Sequence, residues 1–157
     1  MIVLGVIVTI CFLPMLAVVA LAGSNPLSTT ATLYNGPLDL TDRYDFGNCT
    51  YWVFLLRKQI NEPIPNTWGN AATWAERAQL DGYLVDHTPS YGAIMQISNV
   101  DNGLGHVAFV EKVDPITGAW TVSEMNVIGF DVVDTKTLKT TQALAYNFIH
   151  QKIDQTP

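Results

Sequence analysis

Cys49, His106 and Glu124 are the residues of this chain whose types and spacing best suit chemistry. Cys49 is the only cysteine outside an apolar N-terminal run, which holds Cys11. The body of the chain therefore has a single thiol and cannot close an internal disulfide. In an oxidising compartment such a thiol is a liability unless it has a use. It stands in Tyr44-Asp-Phe-Gly-Asn-Cys-Thr-Tyr-Trp-Val53, where Asn48 is a good N-cap for a helix starting at the cysteine. A sulfur at a helix N-terminus feels the positive end of the dipole, which favours the thiolate. A thiol also needs a base that titrates near working pH, and histidine is the natural one. A further group on the other ring nitrogen sets tautomer and orientation. Cys49, His106 and Glu124 supply nucleophile, base and orienter, and backbone N–H groups at the helix head can receive an oxyanion. The competing reading is a buried structural cysteine, a packed histidine and a surface carboxylate.

The elements that must position these residues are a helix and a hairpin. His106-Val-Ala-Phe-Val-Glu-Lys-Val113 and Ala119-Trp-Thr-Val-Ser-Glu-Met125 have strand composition, and Asp114-Pro-Ile-Thr-Gly118 between them is a turn. Pairing across that turn sets Val113 opposite Ala119 and His106 opposite Asn126, so His106, Glu124 and Asn126 share a face. Directly opposed Cβ atoms lie about 5 Å apart and diagonal ones about 7–8 Å, which brings a carboxylate and a carboxamide within reach of the imidazole. A slip of one residue sends His106 to the opposite face from both.

The first helix is expected from Asn48 to about Ile60, because Pro63 and Pro65 forbid its continuation. A second fits Asn70 to Leu80 with Gly82 as its stop. Strands follow at Ala93–Ser98 and in the hairpin, with two more expected at Val127–Val133 and Leu144–Ile149. Helices first and an antiparallel sheet afterwards make the fold class α+β. Residues 24–43 read as a linker, 44–150 as the folded domain and 151–157 as a tail.

The chain has 157 residues and a formal net charge of -6, with every charged side chain at or after Asp39. That balance excludes nucleic acid, whose affinity rests on Lys and Arg meeting phosphates. Residues 1–23 are a transmembrane anchor or a secretory signal: Ile2 to Ala22 are apolar apart from Thr9, and Ala20-Leu-Ala22 fits a cleavage site. Both readings place the body outside the cytoplasm. One leaves it on the membrane as a single-pass protein; the other secretes it. The flanks lack basic residues, so charge does not set the orientation. No serine lies in a nucleophile elbow, and no Cys/His cluster suggests zinc. His87 and His150 are expected in structural or surface roles. The tryptophans Trp52, Trp74 and Trp120 belong in a core, while Trp68 and Tyr91, close to turns, are the candidates for contacting a glycan or peptide.

These pieces resemble the CHAP domain, the cysteine- and histidine-dependent amidohydrolase/peptidase family. The matching segments occur in family order: Gly47-Asn-Cys-Thr-Tyr-Trp-Val53; Trp68-Gly-Asn-Ala71 with Trp74 and Ala78; Pro89 with Gly92-Ala-Ile94; Gly105-His-Val-Ala-Phe-Val-Glu111; and Ser123-Glu-Met-Asn126. The resemblance runs from Tyr44 to Ile149. It implies a papain-like α+β fold, N-terminal helices on an antiparallel sheet, and hydrolysis of amide bonds in bacterial peptidoglycan by an endopeptidase or an N-acetylmuramoyl-L-alanine amidase. Carried over by position, Cys49 is nucleophile, His106 general base, Glu124 orienter and Asn126 a supporting polar group, with no metal or other cofactor in the chemistry. Family members often have Gln before the cysteine; here it is Asn48, one methylene shorter, which bears on any oxyanion or substrate contact from that side chain. Some members hold calcium before the cysteine, but the spacing of Asp39, Asp42 and Asp45 does not match such a site. A non-catalytic scaffold or wall-binding component on the same fold is the alternative.

Overall fold

The computed structural model describes residues 31–153. The expected anchor or signal helix lies outside them, and no helix among the described residues is long and apolar enough to cross a membrane. An antiparallel sheet of seven strands forms the body: β1 Thr32–Leu33, β2 Tyr83–Asp86, β3 Ile94–Ile97, β4 His106–Val113, β5 Trp120–Met125, β6 Val132–Leu138 and β7 Asn147–Lys152. Their order across the sheet is β1-β6-β5-β4-β3-β7-β2. Two helices complete the expected α+β class, α1 Cys49–Gln59 and α2 Trp74–Leu80, the latter continuing a 3-10 turn over Ala71–Thr73.

Helix α1 begins at the expected place. Asn48 has extended backbone (φ -100°, ψ 160°), and Arg57 and Lys58 in the last turn suit the negative end of the dipole. Its inward face buries Tyr51, Val53, Phe54 and Leu55. Val53 and Phe54 join Trp74, Ile94, Val107, Phe109 and Ile149 in one core cluster. Met95, Ala108, Val110, Trp120, Val122 and Phe148 form a second cluster. Adjacent residues of β4 thus go to different clusters, Val107 and Phe109 to the first and Ala108 and Val110 to the second, as a central strand covered on both faces requires. Each large apolar side chain so buried contributes about 1.5–3 kcal/mol, which holds the sheet centre rigid beneath the site.

Several boundaries differ from expectation. The segment Val127–Phe130 is a turn, not a strand, and β6 starts at Val132. Its apolar residues stay in solvent, with Val127, Ile128 and Phe130 at 50%, 58% and 63% exposure. The last strand starts at Asn147 and not at Leu144, because Thr140–Ala145 close a 3-10 turn. Strand β1 arises inside the expected linker by pairing with β6, and β7 runs into the expected tail. The short strand β2 pairs only with β7 and had no signal of its own.

Candidate active site

The hairpin register decides whether the site exists. Near the turn Val113 pairs with Trp120 and Lys112 with Thr121, one residue away from the expected Val113–Ala119 pairing. Glu111 is then bulged out, and beyond it Val110 pairs with Val122 and Phe109 with Ser123. Continuing that register sets His106 level with Asn126, as expected. Without the bulge, Glu124 would face away from the histidine. The bulge is also tied down: Ser123 Oγ donates to Glu111 Oε1 at 2.6 Å and accepts from Trp52 Nε1 at 3.0 Å. One hydroxyl therefore locks the bulge to α1, the helix that carries Cys49.

His106 Nε2 lies 2.8 Å from Glu124 Oε2. With Nε2 so engaged, Nδ1 is the nitrogen left to face Cys49, which lines the same cleft and raises the basicity of the ring. The residue before the histidine, Gly105, has φ +76°, and a Cβ there would run into the backbone of Ala72. Only glycine lets the chain pass that closely and deliver His106 to the end of β4. Glu124 is fully buried, and Lys136, a residue the sequence did not single out, covers it from β6. Its Nζ is 2.8 Å from Oε1 and 2.9 Å from Oε2. Only the second contact has hydrogen-bond geometry, so Oε1 is held by charge alone.

Burial works against charge at both groups and loses. It pushes the Glu124 carboxyl up, but hydrogen bonds from His106 and Lys136 bring it below the usual carboxylate range. It pushes the His106 ring down, but Cys49 and then Glu124 raise it to about 9, against an ordinary 6.5. A raised folded value means that His106 contributes stability that is fully present below its unfolded value and is lost as pH rises through about 9. Urea unfolding at pH values either side of this window tests it. The wild-type chain is expected to lose more stability with rising pH than His106→Gln, and equal losses would show that no such linkage exists.

The amide pair at the helix head takes an unexpected form. Asn48 does not cap α1 with its side chain; its Oδ1 instead accepts from Asn126 Nδ2 at 2.7 Å. Asn126 sits just past β5 in a left-handed conformation (φ +66°) that turns it toward the helix. This bridge ties the end of β5 to the start of α1. It also leaves the N–H groups of the first helical turn without a side-chain acceptor.

Cys49, His106, Asn48 and Asn126 line a cleft of about 500 Å³, whose other walls are largely polar, with Arg43, Asn66 and Asn70 among them. His106 and Asn126 also border a second hollow of about 350 Å³ on their far side, lined by Met95, Ile97, Val127 and Tyr146. Of the three expected substrate contacts, Asn48 lines this cleft, whereas Trp68 and Tyr91 do not. Trp68 is 2% exposed, edge-on to Trp74 and Tyr83, and its Nε1 donates to Asp81, so it is a core residue. Tyr91 is exposed but borders a separate hollow with Arg57, Glu62 and His150. There His150 joins Asp86 (2.8 Å) to Ser90 (3.0 Å), clasping β2, the following turn and β7. His87 Nδ1 bonds the Tyr146 carbonyl at 2.6 Å. The acids ahead of the cysteine serve their loop: Asp39 pairs with Lys58 at 2.6 Å, and Asp42 Oδ1 accepts the Tyr44 N–H.

Known proteins resemble this chain in sequence and fold. The family model described as "CHAP domain" matches residues 39–126. Staphylococcal secretory antigen SsaA of Staphylococcus aureus (strain NCTC 8325 / PS 47) is 43% identical over 126 residues, covering 80% of this chain and 47% of the relative. The secretory antigen ssaA2 of the same strain is 42% identical over 80% of this chain and 45% of its own length. The chain thus spans about half the length of these curated relatives. Among solved structures, an N-acetylmuramoyl-L-alanine amidase from Staphylococcus aureus superposes with a TM-score of 0.64 at 35% identity, over 68% of this chain and 31% of that one. The matched segment runs from the loop before Cys49, through His106 and Glu124, to Asn126, and with it this chain belongs to the CHAP domain family.

Proposed function

We propose that this protein is a peptidoglycan hydrolase that cleaves amide bonds in the bacterial cell wall by a Cys49–His106–Glu124 thiol mechanism, as an N-acetylmuramoyl-L-alanine amidase or an endopeptidase. The observation that carries this reading is the imidazole of His106, held by buried Glu124 through Nε2 and sharing one cleft with Cys49. The raised basicity of the ring means that it holds a proton at neutral pH. An imidazolium beside the sulfur favours the thiolate, which attacks the amide carbonyl. The first-turn N–H groups, uncapped because Asn48 is engaged with Asn126, receive the oxyanion. His106 then passes its proton to the leaving amine, the C–N bond breaks, and a thioester remains on Cys49. Neutral His106 takes a proton from water as the water attacks the thioester, which releases the acid and restores the thiolate–imidazolium pair.

The substrate class follows from the family and from the name of the amidase that this fold resembles. The polar cleft suits a sugar or a polar stem peptide, with the hollow beyond His106, lined by Met95, Ile97 and Val127 as well as Asp101 and Lys136, open to a further side chain. The relatives are named secretory antigens, which supports export with release from the membrane over retention by an anchor. Incubation of the protein with purified sacculi, followed by mass spectrometry of the soluble products, tests the reading and the bond together. An amidase is expected to yield stem peptides with a free N-terminal alanine, and an endopeptidase to yield muropeptides cut within the peptide. Release of neither would end the hydrolase reading.

A further inference from the structure

The mechanism above leaves Lys136 without a task, although its ammonium lies against the buried acid. Its Nζ contacts both oxygens of Glu124, whose side chain is 1% exposed, while the lysine itself is 33% exposed. We infer that Lys136 is a positioning residue that keeps Glu124 ionised and aimed at His106 through both halves of the reaction. This inference rests on the thiol mechanism proposed above.

The reason is a count of charges. Before acyl transfer the site holds a thiolate, an imidazolium, the Glu124 carboxylate and the Lys136 ammonium, which sum to zero. After acyl transfer the sulfur is a neutral thioester and the imidazole is neutral, leaving carboxylate and ammonium, which again sum to zero. Without Lys136 the buried set carries a net negative charge throughout. In the second half Glu124 would then face only a neutral ring. A buried carboxylate with no cation takes up a proton or turns toward solvent. Either would release the ring tautomer that His106 needs to act on water.

The strand register provides this partner. Glu124 pairs with Asp134 and Val122 with Lys136, so both β6 side chains lie on the Glu124 face. The titratable groups that bear on Glu124 are therefore His106 from β4, Asp134 and Lys136 from β6, and, through the ring, Cys49 from α1. Asp134 is 2% exposed and its Oδ1 has no partner; burial, and then the charge of Glu124, push its carboxyl above the ordinary range. Lys136 is the one lysine or arginine among these groups.

The test reads Cys49 itself and needs no wall substrate, so its failure is separable from failure of the hydrolase reading. The rate of Cys49 carbamidomethylation by iodoacetamide is followed by peptide mass spectrometry across pH in wild type, Lys136→Gln and Lys136→Arg. Glutamine keeps a hydrogen bond to the carboxylate but not the charge. Its acid limb is expected to move up by about one pH unit, so alkylation on that limb slows about tenfold, and arginine is expected to restore the wild-type profile. Superimposable glutamine and wild-type profiles would overturn the inference, as would an arginine variant that behaves like glutamine. Should the glutamine variant melt below the assay temperature, carbon-13 NMR of the wild-type Glu124 carboxyl decides. Titration below the ordinary glutamate range supports the inference, and titration at or above it overturns it.

Discussion

Cys49→Ala is expected to release no soluble muropeptides from purified sacculi, a loss of at least about 10³-fold, while circular dichroism and the thermal midpoint stay close to wild type. The chemistry requires the loss, since in the proposed mechanism the acyl group is carried on the Cys49 sulfur. A removed nucleophile typically leaves only the residual rate that binding and oxyanion stabilisation supply. The fold has reason to tolerate the change. Cys49 is partly exposed at the first position of α1, and the helix is held by the buried faces of Tyr51, Val53, Phe54 and Leu55 further along. Alanine also has the best helix propensity. Cys49→Ser keeps the shape but substitutes an alcohol, which one neighbouring imidazole activates far less readily than a thiol. Substantial wall hydrolysis by either variant would remove Cys49 from the mechanism and return the site to a structural reading.

Glu124→Gln is expected to lower kcat by about 10³-fold with little change in KM. The carboxylate accepts from His106 Nε2, which leaves Nδ1 free to face the sulfur. A carboxamide can turn its NH₂ group toward that nitrogen instead, placing the ring proton on Nδ1 in the wrong tautomer. It also removes the negative charge that helps to hold the imidazolium. Stability falls as well, because loss of one member of a buried ion pair typically costs about 3–5 kcal/mol. Part of that cost is offset here, since the amide oxygen still accepts from Lys136, itself partly exposed. A folded variant with a lowered thermal midpoint and a collapsed kcat is the expected combination. Unchanged kcat in a folded variant would show that Glu124 only fills the core.

The readable parts of this chain were those governed by local chemistry. Asn48 before Cys49, the prolines after Ile60, Gly82 and the turn at Asp114–Gly118 mark element ends by backbone geometry alone, and α1, α2 and the hairpin appear where those marks fall. The period of two along His106–Val113 placed Glu124 on the histidine face only through an expected pairing at the turn that was off by one. The bulge at Glu111 corrected that offset. No local propensity announces such a bulge; it is held by Ser123, which in turn is held by Trp52 on α1.

The misses share a cause. Val127-Ile-Gly-Phe130 is apolar enough to read as a strand, whereas the true strand over Val132–Leu138 carries Asp134, Thr135, Lys136 and Thr137 and reads as surface. Pairing partners chose between them, since β6 gains a ladder along the whole of β5 and places Lys136 beside a buried acid. Trp68 lies next to a turn but points inward, because Trp74, Tyr83 and Asp81 together satisfy both its ring and its N–H.

By itself the amino-acid order determined the chemical inventory, the two helices and the central hairpin. These depend on caps, breakers and alternation, which act over a few residues. The folded arrangement decided the rest: the Asn48–Asn126 bridge, the burial of Trp68, and Lys136 and Asp134 as the further charged groups around Glu124. Each of these joins segments distant in sequence. Their energies exist only once the sheet has excluded water and brought the partners together.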